Sequence, residues 1–293
     1  MYTVKISVDS QTEARLDALF SEFETGAWSL QQFNNERTFL QGFFPTAEEA
    51  QIAWASLQKK VFLLPTQCTP YAINEEDWKE SYKQYLKPWS ERNLHWVPLW
   101  EKEHYYLPPG HTAVYLDAGM AFGTGAHETT QLCVKRILDF KEKQGASFCQ
   151  KSIMDAGCGS GILAISAAKL GCSNVIAFDI DPDAIQVSKE NRAENSLSAE
   201  NISFALADIQ AGLRDNNADL ILANIQADVL CLNAKQILTA LQPKAEISMS
   251  GILKTELKVV FEHFQNTAKK LKLNIDMQSK ELGEWADLKI ERT

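Results

Sequence analysis

The sequence predicts two units of different class. A small α+β domain of order β-α-β-β-α-β occupies residues 1–65, and a doubly wound, mostly parallel α/β sheet occupies residues 111–293, with a connector at 66–110 between them. Three observations carry this reading. Six of the seven tryptophans lie at or before Trp100, whereas twelve of the fourteen glycines lie at or after Gly110, a break that two separately built domains explain. From Lys151 onward short apolar runs alternate with apolar-periodic helical segments, the pattern of parallel strands joined by crossover helices. Finally, Ile153-Met154-Asp155-Ala156-Gly157-Cys158-Gly159-Ser160-Gly161-Ile162-Leu163 reads as strand, tight turn and helix.

Taken in order, Tyr2, Val4, Ile6 and Val8 alternate as a half-buried strand does. Leu16, Leu19, Phe20 and Phe23 follow at helical spacing. Residues 27–33 and 38–44 read as two strands with a turn at Asn34-Asn35-Glu36. A second helix starts from Thr46, an N-cap with Glu49 three residues on, and carries Ala50, Ala53, Trp54, Leu57 and Val61 on one face. Residues 61–64 are expected to begin a last strand. That order is ferredoxin-like and by itself specifies no function. In the connector, Asn74-Glu75-Glu76-Asp77-Trp78 starts a helix with Trp78, Tyr82, Tyr85 and Leu86 on one face, stopped by Pro88. The aromatic stretch 94–100 is expected to pack between connector and domains. Beyond it, residues 153–156, 175–179, 202–207, 219–224 and 245–249 read as strands, and 272–278 and 285–290 add two more with no helix between them.

Length and composition bound the answer. At 293 residues, 45% hydrophobic and 23% charged, the chain is an ordinary globular protein long enough for two domains of ~100–200 residues. No apolar run of ~18 residues predicts a membrane span, and Met1-Tyr2-Thr3-Val4-Lys5-Ile6 lacks the apolar core and cleavage site of a signal peptide. Six scattered cysteines without a C-x-x-C pair point away from a zinc or redox site and toward free thiols in a cytoplasmic protein. No metal is expected. The net charge of −9 argues against direct nucleic-acid binding, which favours a basic face; it suits a basic protein substrate.

The glycine turn carries the chemistry. Glycine lets the backbone turn with φ > 0 and lets a ligand approach the main chain. A second apolar run, Val175-Ile176-Ala177-Phe178, ends in Asp179, where a carboxylate accepts hydrogen bonds from ribose hydroxyls. Dinucleotide sites use G-x-G-x-x-G, whereas Gly157, Gly159 and Gly161 follow G-x-G-x-G. With Asp155 leading it, this turn resembles motif I of the class I S-adenosylmethionine (SAM) methyltransferases, which have a Rossmann-like sheet ending in a hairpin.

Upstream, Asp117-Ala118-Gly119-Met120-Ala121-Phe122-Gly123-Thr124-Gly125-Ala126-His127-Glu128-Thr129-Thr130 resembles the AFGTG-x-H-x-TT signature of ribosomal-protein methyltransferases of the PrmA type. Ala118 and Glu128 stand where that family usually has prolines, and Ala126 where threonine is common; the Phe122-Gly123-Thr124-Gly125 core and Thr130 are intact. Leu222-Ala223-Asn224-Ile225 matches its strand-Ala-Asn-Ile pattern, and Ser250-Gly251-Ile252-Leu253 and Glu284-Trp285-Ala286-Asp287-Leu288 resemble further family segments. The resemblance implies that SAM is bound by Thr130, Asp155, Gly157, Gly159, Asp179, Asp208 and Asn224, and that Asn224 is the catalytic residue, orienting a substrate nitrogen. Asn224 read alone is equally a helix cap, and His127 reads as structural. The implied substrate is large-subunit ribosomal protein eleven, methylated on lysine side chains and its N-terminal amine, with residues 1–65 gripping it. Rival readings are an N-methyltransferase of another protein, a nicotinamide-dependent dehydrogenase, which needs a third glycine one position later and a hydride-handling pair, and a SAM-binding sensor, which has no use for Asn224.

Overall fold

A computed structural model of the chain describes residues 2–22, 27–33, 37–72, 86–117, 127–214 and 218–293. The expected turn at 34–36, the expected helix from Asn74 up to residue 85, and residues 118–126 of the glycine-rich loop lie outside them. The chain divides into two units, Met1–Gln84 and Tyr85–Thr293.

The alternation at the N-terminus forms β1 (Tyr2–Val8), followed by α1 (Ser10–Glu22), β2 (Trp28–Phe33), β3 (Arg37–Phe44), α2 (Ala47–Lys60) and β4 (Tyr71–Ala72). The sheet order is β2-β3-β1-β4, with every neighbouring pair antiparallel. Thr46 caps α2 as its sequence predicts: its Oγ1 accepts from the Glu49 amide at 3.1 Å. Trp28 and Trp54 pack inward. Trp54 is buried with Val4, Leu16, Leu40 and Leu57, and the Trp28 ring meets Phe44 edge-on at 5.0 Å. Residues 61–64 correct the expectation of a strand. The Val61 amide bonds back to the Leu57 carbonyl and the Leu64 amide to the Val61 carbonyl, so the backbone is spent on a turn that closes α2. Val61 and Leu64, three apart, are buried while Phe62 is 77% exposed, which is turn spacing and not the two-residue period of a strand. The last strand is instead β4, pairing Tyr2 with Ala72.

The second unit opens with a three-stranded sheet, β5 (Trp89–Glu91), β6 (Leu94–Pro98) and β7 (Thr112–Leu116), in which β6 and β7 run parallel. Its aromatics pack: Trp96 stacks on Trp89 at 4.0 Å and its Nε1 donates to Ser166 Oγ at 2.8 Å. After α3 (Glu128–Gln144) come β8 (Ser152–Ala156), α4 (Ile162–Lys169), β9 (Asn174–Asp179), α5 (Pro182–Glu194), β10 (Ile202–Leu206) and α6 (Ile209–Gly212). The chain continues through β11 (Ala218–Asn224), α7 (Ala227–Leu232), α8 (Ala234–Ala240), β12 (Leu241–Leu253), α9 (Leu257–Leu271), β13 (Ile275–Leu282) and β14 (Trp285–Arg292). These strands form one sheet of order β10-β9-β8-β11-β12-β14-β13. The first five are parallel, β14 runs antiparallel to β12, and β13 pairs antiparallel with β14, giving the doubly wound sheet with a terminal hairpin. One core holds α3, α4 and β5–β7 side chains such as Ile137, Ile165 and Leu94; the other holds Leu230, Ile237 and Phe264 from α7, α8 and α9. Several strand boundaries shift from expectation, those of β12 and β13 the most. β12 is longer than 245–249, and β13 begins at Ile275 because Lys272, at φ 56°, ends α9 in the left-handed region.

Because each unit has its own core, a chain of residues 85–293 is expected to fold alone with a cooperative thermal transition. Non-cooperative melting followed by circular dichroism would show that the two cores depend on each other.

Candidate functional site

The strand order reverses between β8 and β11, and a crevice opens at such a switch point beyond the carboxyl ends of the strands. β8 delivers the glycine turn into it. Gly157, Gly159 and Gly161 have φ of 73°, 52° and 80°, so all three occupy the region that favours glycine. The turn is tied to the end of β9: the Gly157 and Cys158 amides donate to the Phe178 carbonyl at 2.9 and 3.0 Å. Next to it, Asp179 Oδ2 accepts from the Gly159 amide at 2.8 Å and Oδ1 from the Asp181 amide at 3.0 Å. Two backbone amides thus aim the carboxylate, and each oxygen keeps a second lone pair for a ligand hydroxyl.

Asp155 lies inside the sheet and is fully buried. Its Oδ2 accepts from the Ala164 amide at 3.0 Å, while Oδ1 has no hydrogen-bond partner. Burial raises its carboxyl to about 7; the Ala164 bond opposes the rise and the Asp179 charge adds to it. Burial also pushes the Cys158 thiol well up, so the one cysteine in the turn stays protonated and is a poor nucleophile.

The other wall is built on the end of β11. Asn224 pairs with Ser250 of β12, and the next residue, Ile225, donates its amide to the Ser250 carbonyl at 3.2 Å. A Cβ on Gly157 would fall 2.6 Å from Ile225 Cγ2, and one on Gly251 would fall 2.3 Å from the Ile225 carbonyl oxygen. Gly157 after β8 therefore closes on the Ile225 side chain and Gly251 within β12 on its backbone, which holds the residue next to Asn224. The side chain of Asn224 is fixed too: Nδ2 donates to Thr130 Oγ1, buried in the first turn of α3, at 3.3 Å. With the amide nitrogen so occupied, Oδ1 is the end left to accept from a ligand.

The structure thus brings together Asp155, Gly157, Gly159 and Asp179 on one side and Thr130 and Asn224 on the other, across adjacent strands. Asp208 stands apart in kind: it is exposed and caps α6, its Oδ1 accepting from the Ala211 amide at 2.7 Å. His127 is the N-cap of α3, bonded to Thr129 Oγ1 at 2.9 Å and edge-on to Trp285 at 5.0 Å, the structural role its sequence suggests. The Phe122-Gly123-Thr124-Gly125 core falls outside the described residues. Sequence reasoning missed Asn191, whose buried amide bonds to the backbones of Asp117 and Ser160; the signal was an Asn-x-x-x-Asn pair, Asn191 and Asn195, at helical spacing. The donor set suits SAM. The Asp179 carboxylate, aimed by two backbone amides and with lone pairs to spare, fits the hydroxyls of a ribose.

Comparison with known proteins agrees. A family model described as ribosomal protein L11 methyltransferase (PrmA) matches residues 4–293. A ribosomal protein L11 methyltransferase of Alkaliphilus metalliredigens is 34% identical over 264 residues, covering 86% of this chain and 77% of the relative. One from Alkaliphilus oremlandii is 30% identical over 292 residues, covering 97% and 85%. The crystal structure of a ribosomal protein L11 methylase from Lactobacillus delbrueckii subsp. bulgaricus matches with a TM-score of 0.59 at 32% identity, over 69% of this chain and 96% of that one.

The buried acid makes a pH prediction. Folded Asp155 keeps its proton up to about pH 7, whereas in the unfolded chain it loses it near ~3.9. Between those values the folded state binds more protons, so this group's contribution to stability falls as pH rises and levels off above about 7. Asp155→Asn cannot ionise and should flatten that decline, gaining on the unsubstituted protein in urea midpoint between pH 5 and pH 8. A constant difference across the range would mean that the buried carboxyl does not hold its proton.

Proposed function

This chain belongs to the ribosomal protein L11 methyltransferase (PrmA) family, and from that premise we propose that it transfers methyl groups from SAM to amino groups of ribosomal protein L11, both lysine side chains and the N-terminal amine. The observation that carries the reading is the Asn224 amide, held by Thr130 beside the glycine turn with its oxygen left to accept.

In this reading Gly157, Gly159 and Asp155 cradle SAM, Asp179 accepts from its ribose hydroxyls, and Thr130 and Asp208 border it. When bound, the cofactor would supply an electrophilic methyl group on a sulfonium: an amine forms its N–C bond in line as the C–S bond breaks, and the sulfur leaves as a neutral thioether. A lysine ammonium, with a reference pKa of about 10.4, must lose its proton first, and leaving water for an apolar site lowers that value. Asn224 Oδ1 then accepts from an N–H of the neutral amine and aims its lone pair. Its partner Thr130 is a hydroxyl that takes no proton at neutral pH, so the contribution of this pair is positioning, which is a large effect in transfer reactions.

Residues 1–65 are assigned to substrate recognition, 66–110 to the connector and 111–293 to methyl transfer. A cytoplasmic enzyme without direct nucleic-acid contacts fits the net charge of −9; no described helix is long and apolar enough to cross a membrane.

Two experiments test this. With labelled SAM and ribosomes lacking the modification, the full chain should label L11, while residues 85–293 should bind SAM and leave L11 unlabelled; full activity of the shorter chain would remove the recognition role of the first unit. Asn224→Ala should lower turnover at saturating SAM by ~100-fold with little change in SAM affinity. If Asn224 merely braces α3 through Thr130, the same change costs ~1–3 kcal/mol of stability and spares turnover.

A further inference from the structure

Helix α5 ends against two segments that the reaction does not otherwise connect. One is the glycine turn: a Cβ on Gly161 would fall 3.0 Å from Ser188 Cβ, so α5 and the turn are in close contact. The other is the open edge of β7 and the residue that follows it. Between them sits Asn191, which is 2% exposed. Its Oδ1 accepts from the Asp117 amide at 2.9 Å, and its Nδ2 donates to the Asp117 carbonyl at 3.0 Å and to the Ser160 carbonyl at 2.9 Å. Both donors face carbonyls and the acceptor faces an amide, so a flipped side chain would set like against like at every contact.

One turn further on, Asn195 repeats half of this arrangement. Its Oδ1 accepts from the Tyr115 amide at 2.9 Å, and its Nδ2 donates to the Tyr115 carbonyl at 2.6 Å. Four residues of helix rise ~6 Å and two residues of strand ~6.6 Å, so amides at i and i+4 match alternate residues of a strand. Asn191 and Asn195 therefore stand in for a neighbouring strand along the free edge of β7. The two differ in one respect: the second donor of Asn195 goes to the Asn191 carbonyl, within its own helix, and that of Asn191 goes to the glycine turn.

We propose that Asn191 is a positioning residue for SAM: one side-chain amide locks the Ser160 carbonyl of the glycine turn to Asp117 at the end of β7. Ser160 follows Gly159, whose amide holds the Asp179 carboxylate. Tilting the Ser160 carbonyl turns the peptide groups beside it, so the lock reaches the group assigned to the ribose. The inference rests on the SAM reading of the glycine turn, and its test separates the two.

The test compares Asn191→Ala with Asn195→Ala, which removes the same kind of strand-edge contact without touching the turn. SAM binding is measured by calorimetry and unfolding by thermal melting, on the full chain. Both variants should melt lower; only Asn191→Ala should bind SAM weaker, by about tenfold, the equivalent of one hydrogen bond. Equal SAM affinity in Asn191→Ala and the unsubstituted chain, or an equal loss in both variants, overturns the assignment and leaves Asn191 as a brace for β7. Failure of the unsubstituted chain to bind SAM would instead remove the reading beneath it. If Asn191→Ala does not fold, hydrogen exchange on the unsubstituted chain decides. SAM should slow exchange of the Asp117 amide, bonded to Asn191, more than that of the Tyr115 amide, bonded to Asn195; an equal response counts against the proposal.

Discussion

Helix α3 crosses the sheet with an arginine inside the protein, and the site depends on how that charge is matched. Arg136 Nε and Nη2 each donate at 2.7 Å to the two oxygens of Asp287, and the Lys280 amide adds a third bond at 2.7 Å. Both side chains are out of water. Such a pair contributes little net stability, but removing one partner leaves a buried charge and costs ~3–5 kcal/mol. It therefore selects one placement of α3 against β14. The same hairpin holds the start of the helix: His127 leans on Trp285, and Glu128 lies beside Gly283, where an added Cβ would sit 3.1 Å from its carboxylate. Thr130, in that first turn, is delivered to Asn224 as a result.

A second constraint acts on the backbone. Ile225 is enclosed by Gly157 from the end of β8 and Gly251 from β12, each too close for any side chain. Gly157 follows β8 and Gly251 lies in β12, so the three strand ends are set against one another at Ile225, through its side chain on one side and its backbone on the other. The positioning role proposed for Asn224 needs such stiffness, because a misplacement of about an ångström costs much of its effect. The fixed backbone of Ile225 and the fixed amide of Asn224 are two parts of one arrangement.

Legibility followed how local the signal was. The glycine turn and Asp179 were readable because consecutive residues at the end of one strand create them. Thr46 was readable as a cap for the same reason. Residues 61–64 misled because a short apolar run looks alike whether it is a strand or the last turn under a helix; hydrogen bonds to Leu57 and Val61 decided it. The strand that completes the first sheet, Tyr71–Ala72, is two exposed residues long and has no period to detect. Asn191 and Asn195 gave no sign of their partners, since an amide that satisfies distant backbone leaves no pattern at that distant site.

The sequence by itself determined the two fold classes, the G-x-G-x-G turn led by Asp155, and the candidate site residues Asp179, Thr130 and Asn224. Only the tertiary structure decided that Thr130 holds the Asn224 amide, that Asp155 is buried with one oxygen unmatched, and that Arg136 and Asp287 neutralise each other. The reason is physical. Turns, caps and periodic faces are fixed by forces between neighbours in the chain, whereas desolvation and hydrogen bonding across 94 or 151 residues exist only once the sheet has brought those groups together.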